Sequence, residues 1–94
     1  MSKIFVQNSD FVSREVAGEF LLVPLRRRLA DANNLYVLNE TGAAVWKSLD
    51  GCRTLDEIRH ALLQEFAVSE EEAARDIEIL INDLLSIEAI LEKS

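Results

Sequence analysis

The chain has 94 residues, 49% of them hydrophobic and 29% charged, with a formal net charge of −7. This length fits one domain over residues 1–94 that buries somewhat over ~60% of its unfolded surface, and the balance is that of a soluble globular chain. No apolar run approaches the ~20 residues of a membrane span, and the lone Cys52 excludes an intrachain disulfide.

The start, MSKIFVQNSDF, carries one Lys and no long apolar core, so a secretory signal is not expected. Together with the single thiol this reads as a cytoplasmic protein. Ile4-Phe5-Val6 offers a short strand or an arm. Residues 11–25 read as two strands joined at Ala17-Gly18, where glycine tolerates the positive φ of a tight turn. Phe20-Leu21-Leu22-Val23 is apolar on both faces before Pro24 limits further ladder bonding. Residues 26–33 form a polar connection, and Leu35-Tyr36-Val37-Leu38 is a third strand rich in β-preferring side chains.

Three helices follow. Asn39 can cap the first, whose Gly42, Val45, Trp46 and Leu49 fall at helical spacing, and Gly51 supports its termination. Thr54-Leu55-Asp56-Glu57 is a capping box, after which Leu55, Ile58, Leu62 and Phe66 define one buried stripe. Ser69-Glu70-Glu71-Glu72 repeats that pattern and places acids at the positive end of the helix dipole. Ala73, Ile77, Leu80, Ile81 and Leu84 form the core face of the third helix, which ends near residues 86–88; Ala89-Ile90-Leu91 finishes as a short extended segment. This little material cannot bury separate layers, so the helices must cover one face of a small sheet. The expected fold is α+β and winged-helix-like: a small three-stranded antiparallel sheet packed on three helices.

Charge is unevenly placed. Residues 1–64 hold eight acids and eight bases, whereas residues 65–94 hold nine acids against Arg75 and Lys93. The excess lies on the third helix and the tail, where it repels a phosphate backbone.

No catalytic constellation emerges. His60 is the only histidine and has no Ser, Cys or carboxylate at triad spacing, so it reads as a surface imidazole. Cys52 has Arg53 beside it but no local His, and reads as a turn residue. One Cys and one His cannot furnish a structural zinc site, and helix capping accounts for Glu70-Glu71-Glu72; no metal or cofactor is expected. Arg26-Arg27-Arg28 reads as a solvated loop, Trp46 as a core anchor, and no phosphate-binding glycine motif is present. One anomaly stands out. Ile79 lies roughly 200° from Ile77 around the third helix, beside Asp76 and Asp83 on a face grading into Leu80 and Ile87. It is either an ordinary exposed isoleucine or part of a partner groove.

The run Leu38-Asn39-Glu40-Thr41-Gly42-Ala43-Ala44-Val45-Trp46, then Asp50-Gly51, then Thr54-Leu55-Asp56-Glu57-Ile58 resembles the PqqD-like proteins, and the resemblance covers roughly residues 10–88. These are small peptide-binding partners in the making of ribosomally synthesised, modified peptides. The resemblance implies a three-stranded sheet with three helices. It also implies a recognition element for the leader segment of a precursor peptide, which adds as a strand to the third strand's free edge and lies against the third helix. Those positions correspond here to Leu35, Tyr36, Val37 and Leu38 and to Asp76, Ile79, Leu80 and Asp83. An open edge supplies backbone donors and acceptors, and apolar side chains of an extended peptide enter the groove. The acidic strip would favour a basic or amide-rich leader. Residues 25–33 lack the Pro-Glu that usually follows the second strand in pyrroloquinoline-quinone pathway members, and residues 86–90 lack the glycine common after the third helix. Both departures point to a relative serving another precursor and another modifying enzyme, often a radical S-adenosylmethionine maturase.

The leading expectation is a non-enzymatic leader-peptide binder acting without cofactor, nucleic acid or membrane. The alternatives are a winged-helix DNA-binding regulator, whose third helix would have to bring Asp76, Glu78 and Asp83 to phosphate, and a structural or dimerisation module using the same edge. A small hydrolase comes last.

Overall fold

In the computed structural model, residues 2–25 and 36–93 are described. Their elements are β1 (Ile4–Gln7), β2 (Phe11–Val16), β3 (Glu19–Pro24), β4 (Tyr36–Leu38), α1 (Glu40–Ser48), β5 (Asp50–Thr54), α2 (Leu55–Glu65), α3 (Glu70–Ser86) and β6 (Ile90–Lys93). The α+β class, the three helices and the hairpin-plus-strand sheet agree with the sequence reading. The strands, however, form two three-stranded antiparallel sheets rather than one: β2-β3-β4, and β5-β1-β6.

The second sheet owes its existence to tertiary pairing. Asp50-Gly51-Cys52-Arg53-Thr54 has no apolar alternation and only Thr54 as a β-preferring side chain, and reads as a turn, yet it pairs with β1 through Ile4↔Thr54 and Val6↔Asp50. Gly51 stands at φ +81°, and a Cβ there would meet Val6 at 3.4 Å. Its positive φ lets the strand follow directly on α1. β1 is the central strand, pairing on its other side with β6 from Ile4↔Lys93 to Gln7↔Ile90. Ile4-Phe5-Val6 is therefore a strand, and of the expected extended segment Ile90 and Leu91 open β6, with Ala89 just before it.

Capping explains where the helices begin. Asn39 Oδ1 accepts the Gly42 amide at 2.8 Å. Thr54 Oγ1 accepts the Glu57 amide at 3.2 Å, and Glu57 Oε1 accepts the Thr54 amide at 2.8 Å, completing the expected box. At α3 only half of the box forms. Ser69 Oγ accepts the Glu72 amide at 3.1 Å, while the return contact runs from the Ser69 hydroxyl to Glu72 Oε1 at 3.3 Å. The end of α3 is a Schellman turn, in which Ala89 N–H donates to Leu84 O at 2.8 Å and Glu88 N–H to Leu85 O at 3.1 Å. Glu88, at φ +64°, occupies the left-handed position that glycine usually fills. The missing glycine thus changes the residue but not the turn.

The core is one apolar cluster between the sheets and the helices. Phe11, Leu22 and Leu38 enter it from the first sheet, Phe5 and Ile90 from the second. Trp46 and Leu49 enter from α1 and its end, Ile58 and Leu62 from α2, and Ile77, Ile81 and Leu84 from α3. The stripe expected on α3, Ala73 through Leu84, is buried throughout. Phe66, assigned to the α2 stripe, is half-buried at its C-cap. Among the described residues no helix is long and apolar enough to cross a membrane.

Candidate functional site

Strand alternation sets the site. β4 pairs with β3 through Phe20↔Leu38, Leu21↔Val37 and Leu22↔Tyr36, and among the described residues its other edge has no partner strand. Tyr36 and Leu38 face the helices, while Val37 points away and is 55% exposed. A three-residue strand with one satisfied side leaves backbone donors and acceptors facing outward.

Beside that edge α3 walls a groove of about 410 Å³. Its floor is apolar, built from Leu38, Val45, Leu62, Ala73 and Leu80, with Val37, Asp76 and Ile79 at the rim. Ile79 is 54% exposed, as expected for a side chain outside the core stripe. Gly42 lines the groove as well, and close packing requires it: a Cβ there would lie 3.0 Å from Asn39 Oδ1 and 3.3 Å from Leu38 Cδ2.

Six residues singled out in the sequence therefore line one groove: Tyr36, Val37, Leu38, Asp76, Ile79 and Leu80. Leu35 and the Arg26-Arg27-Arg28 run lie outside the described residues. Asp83 does not line the groove; its Oδ2 accepts the Tyr36 hydroxyl at 2.9 Å. Burial, and then the Asp83 hydrogen bond and charge, push the Tyr36 phenol up to about 12. The pair clamps β4 to α3 and leaves Asp83 a structural partner of the groove. Sequence reasoning missed Asn39, Thr41 and Val68, which also line it. Asn39 and Thr41 are absorbed by the α1 cap. Val68, the apolar residue just before the Ser69 cap, was the available signal.

A larger cavity, about 520 Å³, lies between the β2–β3 hairpin and α1 and α2. Phe20 and Phe66 line it with Glu15, Glu40 and Glu65, and Lys47 Nζ sits 5.1 Å from the Phe20 ring centroid. Only Glu15 reaches it from β2, the other edge of the first sheet, so it offers an extended peptide no run of strand residues to pair with. Elsewhere the chemistry is sparse. His60 Nε2 lies 3.2 Å from Gln64 Nε2, Cys52 is exposed, and no metal-holding group of three His, Cys, Asp or Glu occurs among the described residues.

The fold and groove define a small α+β domain with an open edge strand set beside a helix. A protein-family model, coenzyme PQQ synthesis protein D (PqqD), matches residues 19–90, and the chain belongs to that family. No curated protein matches it by sequence. Two solved structures share its fold. One, described as TbiB1 in complex with the TbiA(beta) leader peptide, is 21% identical with a TM-score of 0.70, over 90% of this chain and 93% of that chain. The other, lasso peptide synthetase B1 complexed with the leader peptide, is 20% identical with a TM-score of 0.73, over 93% of this chain and 96% of that chain.

Proposed function

We propose that this protein is a non-catalytic binder of the leader segment of a ribosomally made precursor peptide, which it presents to a separate modifying enzyme. The observation that carries this reading is the open edge of β4 lying against the apolar groove of α3. The leader extends the first sheet by one strand, its backbone pairing with β4, and alternate side chains enter the groove over Leu38 and Leu80. Family membership supports it, as does the leader peptide in both structures of like fold. Presentation requires no reacting group from this chain; it requires that one segment be held extended and in register.

The modifying enzyme is of the radical S-adenosylmethionine kind or another maturase, working in the cytoplasm. The absent Pro-Glu after β3 and the Glu88 turn favour a precursor other than that of pyrroloquinoline quinone. Duplex DNA is disfavoured because α3 would bring Asp76, Glu78 and Asp83 to phosphate.

Amide-shift titration with the leader of a precursor encoded beside this chain tests the reading. Shifts should concentrate on Tyr36, Val37 and Leu38 and on Asp76, Ile79 and Leu80. Ile79→Lys should weaken binding while leaving thermal stability intact, since Ile79 lies outside the core. Unchanged affinity in that variant, or shifts confined to residues 26–28, would overturn the groove.

A further inference from the structure

Asp76 and Asp83 look equivalent on the acidic strip of α3, but their surroundings differ. Asp83 is engaged by the Tyr36 hydroxyl at 2.9 Å. Asp76 is exposed on the rim and is the sole charged side chain among the described residues lining the groove. It makes no hydrogen bond or ion pair among the described residues. Its helical neighbours at three and four positions are Glu72, Ala73, Ile79 and Leu80, so its own helix supplies no cation. Among the described residues, a lone carboxylate is thus held at the mouth of a slot with an apolar floor.

We infer that Asp76 is the charge selector of the groove, choosing leaders that carry a Lys or Arg two positions from the apolar residue seated over Leu80. The inference rests on the leader-binding reading and specifies its substrate. Side chains on one face of an extended peptide repeat every ~6.6–6.8 Å, and the four helical residues from Leu80 to Asp76 rise ~6 Å. Two successive inward side chains of the leader therefore reach Leu80 and Asp76 together. Burial of the first supplies the larger share of affinity. The second fixes register, because a one-residue slip turns both side chains outward. An exposed ion pair is worth ~0.2–1 kcal/mol, and a like-charge pair costs a similar amount. A Lys-bearing peptide should therefore bind about 2- to 30-fold tighter than its Glu counterpart at low salt, the ratio shrinking as salt screens the pair.

Random peptides displayed on phage provide the probe. Groove-directed binders are those that lose affinity for Ile79→Lys and Val37→Pro. For the tightest of these, synthetic forms with Lys, Gln or Glu two positions from the apolar anchor are titrated by fluorescence anisotropy against wild type, Asp76→Lys and Glu78→Lys. Both variants change net charge equally, but Glu78 does not line the groove. The expected result is a Lys-over-Glu preference in wild type, retained in Glu78→Lys and inverted in Asp76→Lys, with melting curves checking that each variant folds. Equal loss of preference in both variants would assign it to the overall field and overturn the inference. Groove-directed peptides with no cation preference would overturn it while leaving the leader-binding reading standing. A selection that yields no groove-directed peptide would overturn both.

Discussion

Tyr36 is the chain's only tyrosine, so its ionisation can be followed without ambiguity by phenolate absorbance. Burial, the Asp83 hydrogen bond and the Asp83 charge, in that order, raise it from the ordinary 10.0 to about 12. At pH 11 a phenol of ordinary pKa would be about 90% ionised, whereas Tyr36 should be only about 10% ionised. Because the folded value lies above the unfolded one, the stabilisation it reflects is complete below about pH 10 and is lost as pH rises through about 12. The full difference corresponds to about 2.7 kcal/mol, and partial solvent contact discounts this to about 1–2 kcal/mol. Tyr36→Phe keeps the burial and removes only the hydrogen bond, so it should cost about 1 kcal/mol in urea at pH 7, as Asp83 Oδ2 is left without its donor. Asp83→Ala should lower the midpoint only partway toward 10, since burial is the first cause and stays in place. The assay is absorbance between pH 8 and 12, with circular dichroism marking the range in which the protein remains folded. A wild-type midpoint at 10 while folded, unaffected by Asp83→Ala, would refute the clamp.

Thr54→Ala and Ser69→Ala should each cost about 1 kcal/mol, because the Glu57 and Glu72 amides lose their acceptors. Indistinguishable urea midpoints for both would show that these caps contribute nothing. Glu88→Gly should stabilise by about 1 kcal/mol, since glycine holds a left-handed φ without the Cβ clash, less what is returned through the unfolded chain's added freedom. A lower melting temperature for that variant would mean that the Glu88 side chain matters more than its backbone.

How much was legible depended on whether the signal was local. Asn39, Thr54 and Ser69 announce their helices because a cap is a contact across three residues. The α3 stripe is legible because a helix buries whatever recurs at its own period. The groove could be guessed because exposed Ile79 broke that stripe on the side facing the third strand. The second sheet could not be read in full, since β5 is a strand only through β1, a partner distant in sequence. The separate fates of Asp76 and Asp83 were equally hidden. They share one helical face, and only the position of the Tyr36 hydroxyl distinguishes them.

Placing β1 at the centre of the β5-β1-β6 sheet has a consequence for how the chain folds during synthesis. Ile4–Gln7 leaves the ribosome before the other strands, yet one side waits for Asp50–Thr54 and the other for Ile90–Lys93. Helices and the β2–β3 hairpin, closed by short loops, can form in the interval, whereas the β1–β6 pairing spans nearly the whole chain and is slow to close. Until then Ile4, Phe5 and Val6 present a hydrophobic strand with unpaired edges, a template for aggregation. The strand made first is the last to be fully seated, so a chain that stalls after α3 would have its helices but keep one side of β1 open.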